Sequence, residues 1–199
     1  MYTFKNLMQG TPAMNPSIKI WALLLSFLML AGCEVKLAPS KMWSKVFKPD
    51  TDSGYYEDRS IDLVEDLARD AEEYEINKVV VMDLVDENDQ VPVLGEYMSS
   101  RVVEAITRSR YFRVAQRGEV TQTLEQLELK PSFRYTHDDL HKIGKALKAQ
   151  AVVNGKVRDI GTNIDVHLAL VDVATGEVIS SATQHLNRTR FAVELLRHY

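Results

Sequence analysis

The sequence predicts an α+β domain: a mixed sheet of about five strands with helices packed on it. Three observations predict it. The apolar, β-branched run at 78–85 is followed by a helical pattern and then a short second strand at 111–115, an early βαβ crossover that places two strands in parallel. Ile164, Val166, Leu168 and Leu170 alternate and lead through Ala174-Thr-Gly176 into a return strand at 177–186, a late antiparallel hairpin. Between these strands, apolar residues recur at helical spacing.

Each element follows in order. Ile61, Val64, Leu67 and Ala71 share one helix face, with Ser60 placed as its N-cap. The run KVVVMDLV at 78–85 has the near-continuous apolar character of a strand buried on both faces. A polar loop, Asp86-Glu-Asn-Asp-Gln, precedes Pro92, which suits a helix start, and Leu94, Met98, Val102 and Ala105 line that helix. Gly118 opens a third helix carrying Val120, Leu124 and Leu127, and Pro131 ends the segment. Thr136-His-Asp-Asp139 has capping-box spacing, with Asp in place of the preferred Glu or Gln, ahead of Leu140, Ile143 and Leu147. A strand at 151–157 and the hairpin follow, with Gly176 supplying a positive φ in the turn. A short helix with Phe191, Leu195 and Leu196 closes the chain.

Ahead of this domain, Lys19 precedes the apolar stretch 20–29, which runs into Leu30-Ala-Gly-Cys33. A positive flank, a short apolar core and small residues before a cut site constitute an export signal. The core is shorter than the ~20 residues of a membrane-spanning helix. The arrangement resembles a bacterial lipoprotein lipobox, which implies cleavage between Gly32 and Cys33 and acylation of Cys33. Met14-Asn-Pro-Ser-Ile-Lys makes a compact, positively charged start, so Met14 is the expected initiator. The expected organisation is a signal peptide at 1–32, a lipidated N-terminus and flexible tether at 33–57, and a domain at 58–199. Trp43, Phe47, Tyr55 and Tyr56 are unusual in a linker and are expected to dock on the domain.

From Cys33 onward the chain carries 22 basic and 28 acidic residues. That balance excludes a general nucleic-acid binder, which shows a basic patch or stripe. With a single cysteine, no intramolecular disulfide forms, and stability must come from a core that about 140 residues suffice to build.

The sequence contains no Gly-rich phosphate loop, CxxC, HExxH or GxSxG motif. His137 and His141 have the i, i+4 spacing of two metal ligands, but Leu140, Ile143 and Leu147 define the buried face, so both histidines fall on the solvent side beside Lys145 and Lys148. Asp83, Asp86, Glu87 and Asp89 gather at the end of the first strand, where open α/β sheets often bind ligands, without the ligand ladder of a calcium loop. Arg108, Arg110, Arg113 and Arg117 are expected to form surface ion pairs with Glu104, Glu119 and Glu125. Tyr111 and Phe112 are expected in the core, and His167 and His185 on the surface of the hairpin. Asn187-Arg-Thr189 matches a glycosylation acceptor by chance. These readings assign no catalytic residue, no cofactor and no metal, and favour a binding or assembly module. A metal-dependent hydrolase using Asp83, Asp86 or His137 is the enzyme alternative.

Several segments resemble known lipoproteins. Val79-Val-Val-Met-Asp-Leu-Val and Leu94-Gly-Glu-Tyr-Met resemble the opening of the flagellar outer-membrane lipoprotein family FlgO. The segment 109–117 (SRYFRVAQR) is similar to one shared with the curli-transport family CsgG. Residues 143–155 (IGKALKAQAVVNG) look like the "GxxLGAxxVVxG" stretch of those families, with Lys148 and Gln150 departing from the usual small residues. Residues 170–178 (LVDVATGEV) are similar to the hairpin of the wider superfamily. Leu127-Glu-Leu-Lys-Pro131 resembles the "LxLxP" segment of LpoB-like lipoproteins, which activate peptidoglycan synthases. The resemblance spans about residues 60–186 and rests on turn and packing positions.

It implies a periplasmic domain lipid-anchored through Cys33, with Glu34 leaning towards outer-membrane delivery. The function it implies first is non-enzymatic support of a surface structure, the flagellum, through basal-body or ring proteins. The alternatives are activation of a peptidoglycan synthase, with a tether shorter than those of LpoB-like proteins, and a curli-type secretion component lacking the pore hairpins. Self-association follows from the ring-forming relatives.

Overall fold

The computed structural model describes residues 51–198 apart from Glu72. The signal sequence, Met14, Gly32, Cys33, Trp43 and Phe47 lie outside the described residues. The sheet has five strands: β1 (Lys78–Val81), β2 (Arg113–Val114), β3 (Ala151–Asp159), β4 (Asn163–Asp172) and β5 (Val178–Asn187). Their spatial order is β2-β1-β3-β4-β5. β1 runs parallel to both β2 and β3, and β3-β4-β5 form an antiparallel meander. This is the mixed sheet expected, with the parallel pair early and the hairpin late.

Six further elements are not strands in the sheet's ladder but pack on or beside it. They are α1 (Asp52–Ala71), α2 (Val93–Ser109), α3 (Arg117–Gln126), α4 (His137–Leu147), α5 (Arg190–Glu194) and the irregular segment 127–136. On one face, Leu63 and Leu67 of α1 and Leu94, Met98 and Ile106 of α2 meet Val79, Val153, Ile164, Val166 and Leu168. On the other, Val120 and Leu124 of α3 and Leu140, Ile143 and Leu147 of α4 meet Val80, Met82, Val152 and Val171. Alternate residues from Val79 to Met82 enter opposite cores, which explains why all four are apolar.

The regular ladder of β1 stops at Val81, short of the expected Val85. The chain nonetheless stays beside β3: the Met82 amide donates to the Val153 carbonyl (2.9 Å) and the Val85 amide to that of Gly155 (3.1 Å). Pairing is interrupted at Asp83, whose carboxylate turns to polar partners. β2 shrinks to two residues, with Phe112 partly buried against the first core and Tyr111 exposed instead of buried.

The first helix starts earlier than its periodicity suggests. Thr51 caps it: the Gly54 amide donates to the Thr51 hydroxyl (3.1 Å) and the Tyr55 amide to the Thr51 carbonyl (3.0 Å). Residues 52–57 are therefore helix, not tether. Ser60 is fully buried in mid-helix and donates to the Tyr56 carbonyl at 2.8 Å, satisfying its hydroxyl inside the helix. Tyr56 is 3% exposed and Tyr55 packs at the core edge, so both dock as expected. Burial and then the Asp52 carboxylate push the Tyr56 phenol up to about 12, so it stays neutral at physiological pH.

Pro92 occupies the N-cap of α2 and offers no side-chain acceptor. The chain's last residues supply the acceptors instead: the Val93 amide donates to the Arg197 carbonyl (3.0 Å) and the Leu94 amide to that of Leu195 (2.6 Å). At α4 the capping box forms as expected, with the Thr136 hydroxyl accepting from the Asp139 amide (3.2 Å) and the Asp139 carboxylate accepting from the Thr136 amide (3.3 Å).

Candidate partner-binding face

The α3–α4 layer covers only part of its sheet face. Beyond Val152 and Ala169, the side chains of β3, β4 and β5 that point the same way become polar, as a half-solvated antiparallel meander requires. The register arranges them in two cross-strand rows. Lys156 lies opposite His167, which lies opposite Thr183; Arg158 lies opposite Asp165, which lies opposite His185.

Each row is internally bonded. His167 Nδ1 and the Thr183 hydroxyl are 2.9 Å apart. His185 Nδ1 meets the Asp165 carboxylate at 2.6 Å, and Asn163 donates to the same oxygen at 2.6 Å. Arg158 pairs with Glu87 at 2.8 Å. Phe133, from the segment before α4, stands over the first row. Its ring packs edge-on to His167 with centroids 5.4 Å apart, and the Lys156 ammonium lies 5.0 Å from its centroid. Its carbonyl accepts from buried Asn154 at 2.9 Å, which ties the segment to β3. Burial and then the Lys156 charge lower the His167 pKa, so its imidazole is held neutral.

Beside these rows a cleft of about 300 Å³ opens between the loop after β1 and the Phe133 segment. Asp86, Glu87 and Asp89 line one side, and Phe133, Arg134, Lys156 and Arg158 the other. The face as a whole offers cations, carboxylates, imidazoles and an aromatic edge on a stiff three-stranded platform. Such a surface recognises a partner by hydrogen bonds and charge complementarity.

The four carboxylates at the end of β1 do not converge. Asp83 accepts from the Ser99 hydroxyl (2.6 Å) and pairs with Arg117 (2.8 Å). Asp86 accepts from the amides of Asn88 (2.7 Å) and Gln90 (3.0 Å) and from His198 (3.0 Å). Burial works against the Asp86 charge, but the amides and His198 prevail and hold the carboxyl below its usual range. Asp89 accepts from Ser132 at 3.3 Å. Among the described residues no three metal-ligating side chains gather at one point. His137 and His141 are both exposed, and His137 Nε2 bonds the Ala174 carbonyl at 2.8 Å, bracing the β4–β5 turn against α4.

Arg108 and Arg117 do form surface ion pairs, but with Glu57, Asp83 and Glu96 instead of the sequence neighbours Glu104, Glu119 and Glu125. Folding brings α1 and β1 next to α2 and α3, and local spacing carries no signal for that. Arg110 takes the left-handed position that ends α2, with φ 61°, and Arg113 lies on β2. Arg188 pairs with Asp159 at 2.8 Å, and Thr189 caps α5.

A scan against protein-family models finds no match, and no curated protein is similar in sequence to the chain. Among solved structures, the LpoB C-terminal domain from Escherichia coli matches with a TM-score of 0.55 at 15% identity, covering 67% of this chain and 98% of that one. The LpoB C-terminal domain from Salmonella enterica matches with a TM-score of 0.54 at 18% identity, over the same shares of each chain. The NMR structure of E. coli LpoB matches with a TM-score of 0.53 at 14% identity, covering 68% of each. The chain therefore has the fold of the LpoB C-terminal domain.

Proposed function

We propose that the chain is a non-enzymatic envelope lipoprotein that activates a peptidoglycan synthase. The observation that supports this reading best is a fold shared with nearly the whole of the LpoB C-terminal domains. The LpoB-like resemblance at Leu127–Pro131 points the same way. The flagellar reading rests on sequence resemblance alone, and the fold likeness adds nothing to it. In the proposed arrangement, acylated Cys33 anchors the protein to the outer membrane and the domain faces the periplasm. Among the described residues no helix is long and apolar enough to cross a membrane. The polar rows of β3, β4 and β5, with the adjoining cleft, meet the synthase. Binding there biases the synthase towards its active conformation through differential affinity for it.

The test combines full-length lipidated protein with the peptidoglycan synthases of its own cell in liposomes and follows glycan polymerisation. A several-fold rise in rate with one synthase is the expected result. No binding and no stimulation with any of them, alongside crosslinks to flagellar basal-body proteins in cells, would overturn the synthase reading. Cys33→Ser is expected to keep stimulation in detergent solution and to fail in cells, where anchoring brings the two proteins together.

A further inference from the structure

β5 is an edge strand of ten residues, VISSATQHLN, with no Lys, Arg, Asp, Glu, Pro or Gly. Natural edge strands are usually blunted by such residues, because an open edge is a template for pairing with another chain. The other edge of this sheet, β2, is only two residues long.

One end of the β5 edge is closed by the protein itself. The Asn187 amide donates to the Tyr55 hydroxyl at 2.8 Å, and the Asn187 carbonyl accepts from the Thr189 amide at 2.8 Å. Both backbone groups of Asn187 thus face away from β4. Alternate residues of a strand turn both groups to the same side, so Ser181, Thr183 and His185 also face outward. The β4–β5 register runs unbroken across these residues, from Leu170↔Ser180 to Asn163↔Asn187. None of their amides or carbonyls bonds to another described residue. At its other end the register slips between Leu170 and Val171, leaving Ile179 outside the regular ladder, so the regular open edge is three outward residues long, and it is centred on Thr183.

We propose that this edge pairs with the same edge of a second copy of the chain, antiparallel about a twofold axis at Thr183. In that register Ser181 meets His185 of the other copy, and Thr183 meets its counterpart. All three outward residues then exchange both of their backbone bonds, and no like charges are brought together. A C2 contact requires this kind of self-complementarity, and an edge without charged side chains meets it. Opposed β-branched threonines are a favourable cross-strand pair. Tyr55 stops the pairing at Asn187 in each copy, which fixes the register. The result is a continuous ten-stranded sheet, and Thr183 and His185 place the two polar faces side by side.

The test uses the full chain in cells with Thr183→Cys, and Lys142→Cys on the exposed side of α4 as control. Residues paired in this way have Cα atoms about 5.5 Å apart, within the range a disulfide spans. Mild oxidation should convert Thr183→Cys to a reducible dimer and leave Lys142→Cys monomeric. Purified Thr183→Lys, which sets two ammonium groups against each other at the axis, should halve the molar mass in sedimentation while its far-UV circular dichroism at 20 °C stays that of the folded wild type. A wild-type chain that sediments as a monomer would overturn the pairing. So would a dimer indifferent to Thr183→Lys, or a Thr183→Cys chain that crosslinks only to a different protein.

Discussion

His167 shows how one side chain on the polar face registers both packing and charge. Its imidazole is wedged edge-on against Phe133, bonded to Thr183 and set opposite Lys156. Burial and the lysine charge depress its pKa below the ordinary value. In the unfolded chain it titrates at about 6.5. As pH falls through that value the unfolded chain takes up a proton that the folded chain resists, so stability falls with pH. The loss begins near the unfolded pKa and is complete below the folded one. Urea unfolding of wild type and His167→Gln between pH 8 and pH 5 should show wild type losing stability relative to the variant on acidification. Parallel curves would mean that the folded protein does not hold the imidazole neutral.

At the scale of elements, the packing of α2 turns on a glycine. A Cβ added at Gly95 would lie 2.1 Å from the Leu84 carbonyl oxygen and 3.1 Å from Pro92 Cδ. Both are bound into rigid structure and cannot retreat as a flexible side-chain tip could. Helix propensity alone would make Ala better than Gly by about 1 kcal/mol. Here overpacking, typically ~1–3 kcal/mol and more when backbone must move, wins. Gly118 is the control, because a Cβ there meets nothing within 4 Å in the first turn of α3. Gly95→Ala should lower the urea midpoint by the equivalent of about 2 kcal/mol or more, and Gly118→Ala should raise it slightly.

The same scale shows why some elements were legible in the sequence and others were not. The capping box at Thr136, the turn at Gly176 (φ 74°) and the two-faced apolar run of β1 are written in contiguous residues; the first two form where expected, and β1 forms over the first half of its run. The first two turns of α1 were hidden. Tyr55 and Tyr56 resemble linker aromatics, and buried Ser60 breaks the apolar stripe, although Thr51 carried a cap signal. The polar rows were hidden for a different reason. His167 and His185 could be placed on hairpin strands, but joining them to Lys156, Arg158, Asp165 and Thr183 needs a register that one sequence does not specify. Phe133 lies in an irregular segment, and only the fold carries it onto the sheet.

At the scale of the molecule, the two sheet faces divide the work. One is sealed by α1, α2 and the C-terminal residues that cap α2, and its residues set stability. The other is sealed only in part and leaves a polar platform whose side chains bear little of the core. Substitutions on the platform should therefore separate association from folding. Lys156 is the sharpest probe, because it lines the cleft, faces His167 and carries a charge that a partner can read. Lys156→Glu gives up a contact with Phe133 worth about 0.5–1 kcal/mol at an exposed site. It also removes the charge that opposes protonation of His167. Unfolding stability at pH 7.5 should consequently change by no more than about 1 kcal/mol. Reversing a charge at a complementary interface costs several times that, so affinity for the proposed synthase partner should fall at least ~10-fold and stimulation with it. Binding titrations run beside urea unfolding on the same preparations decide the matter. A loss of binding without loss of stability locates the partner on this face, and undiminished binding moves it elsewhere on the domain.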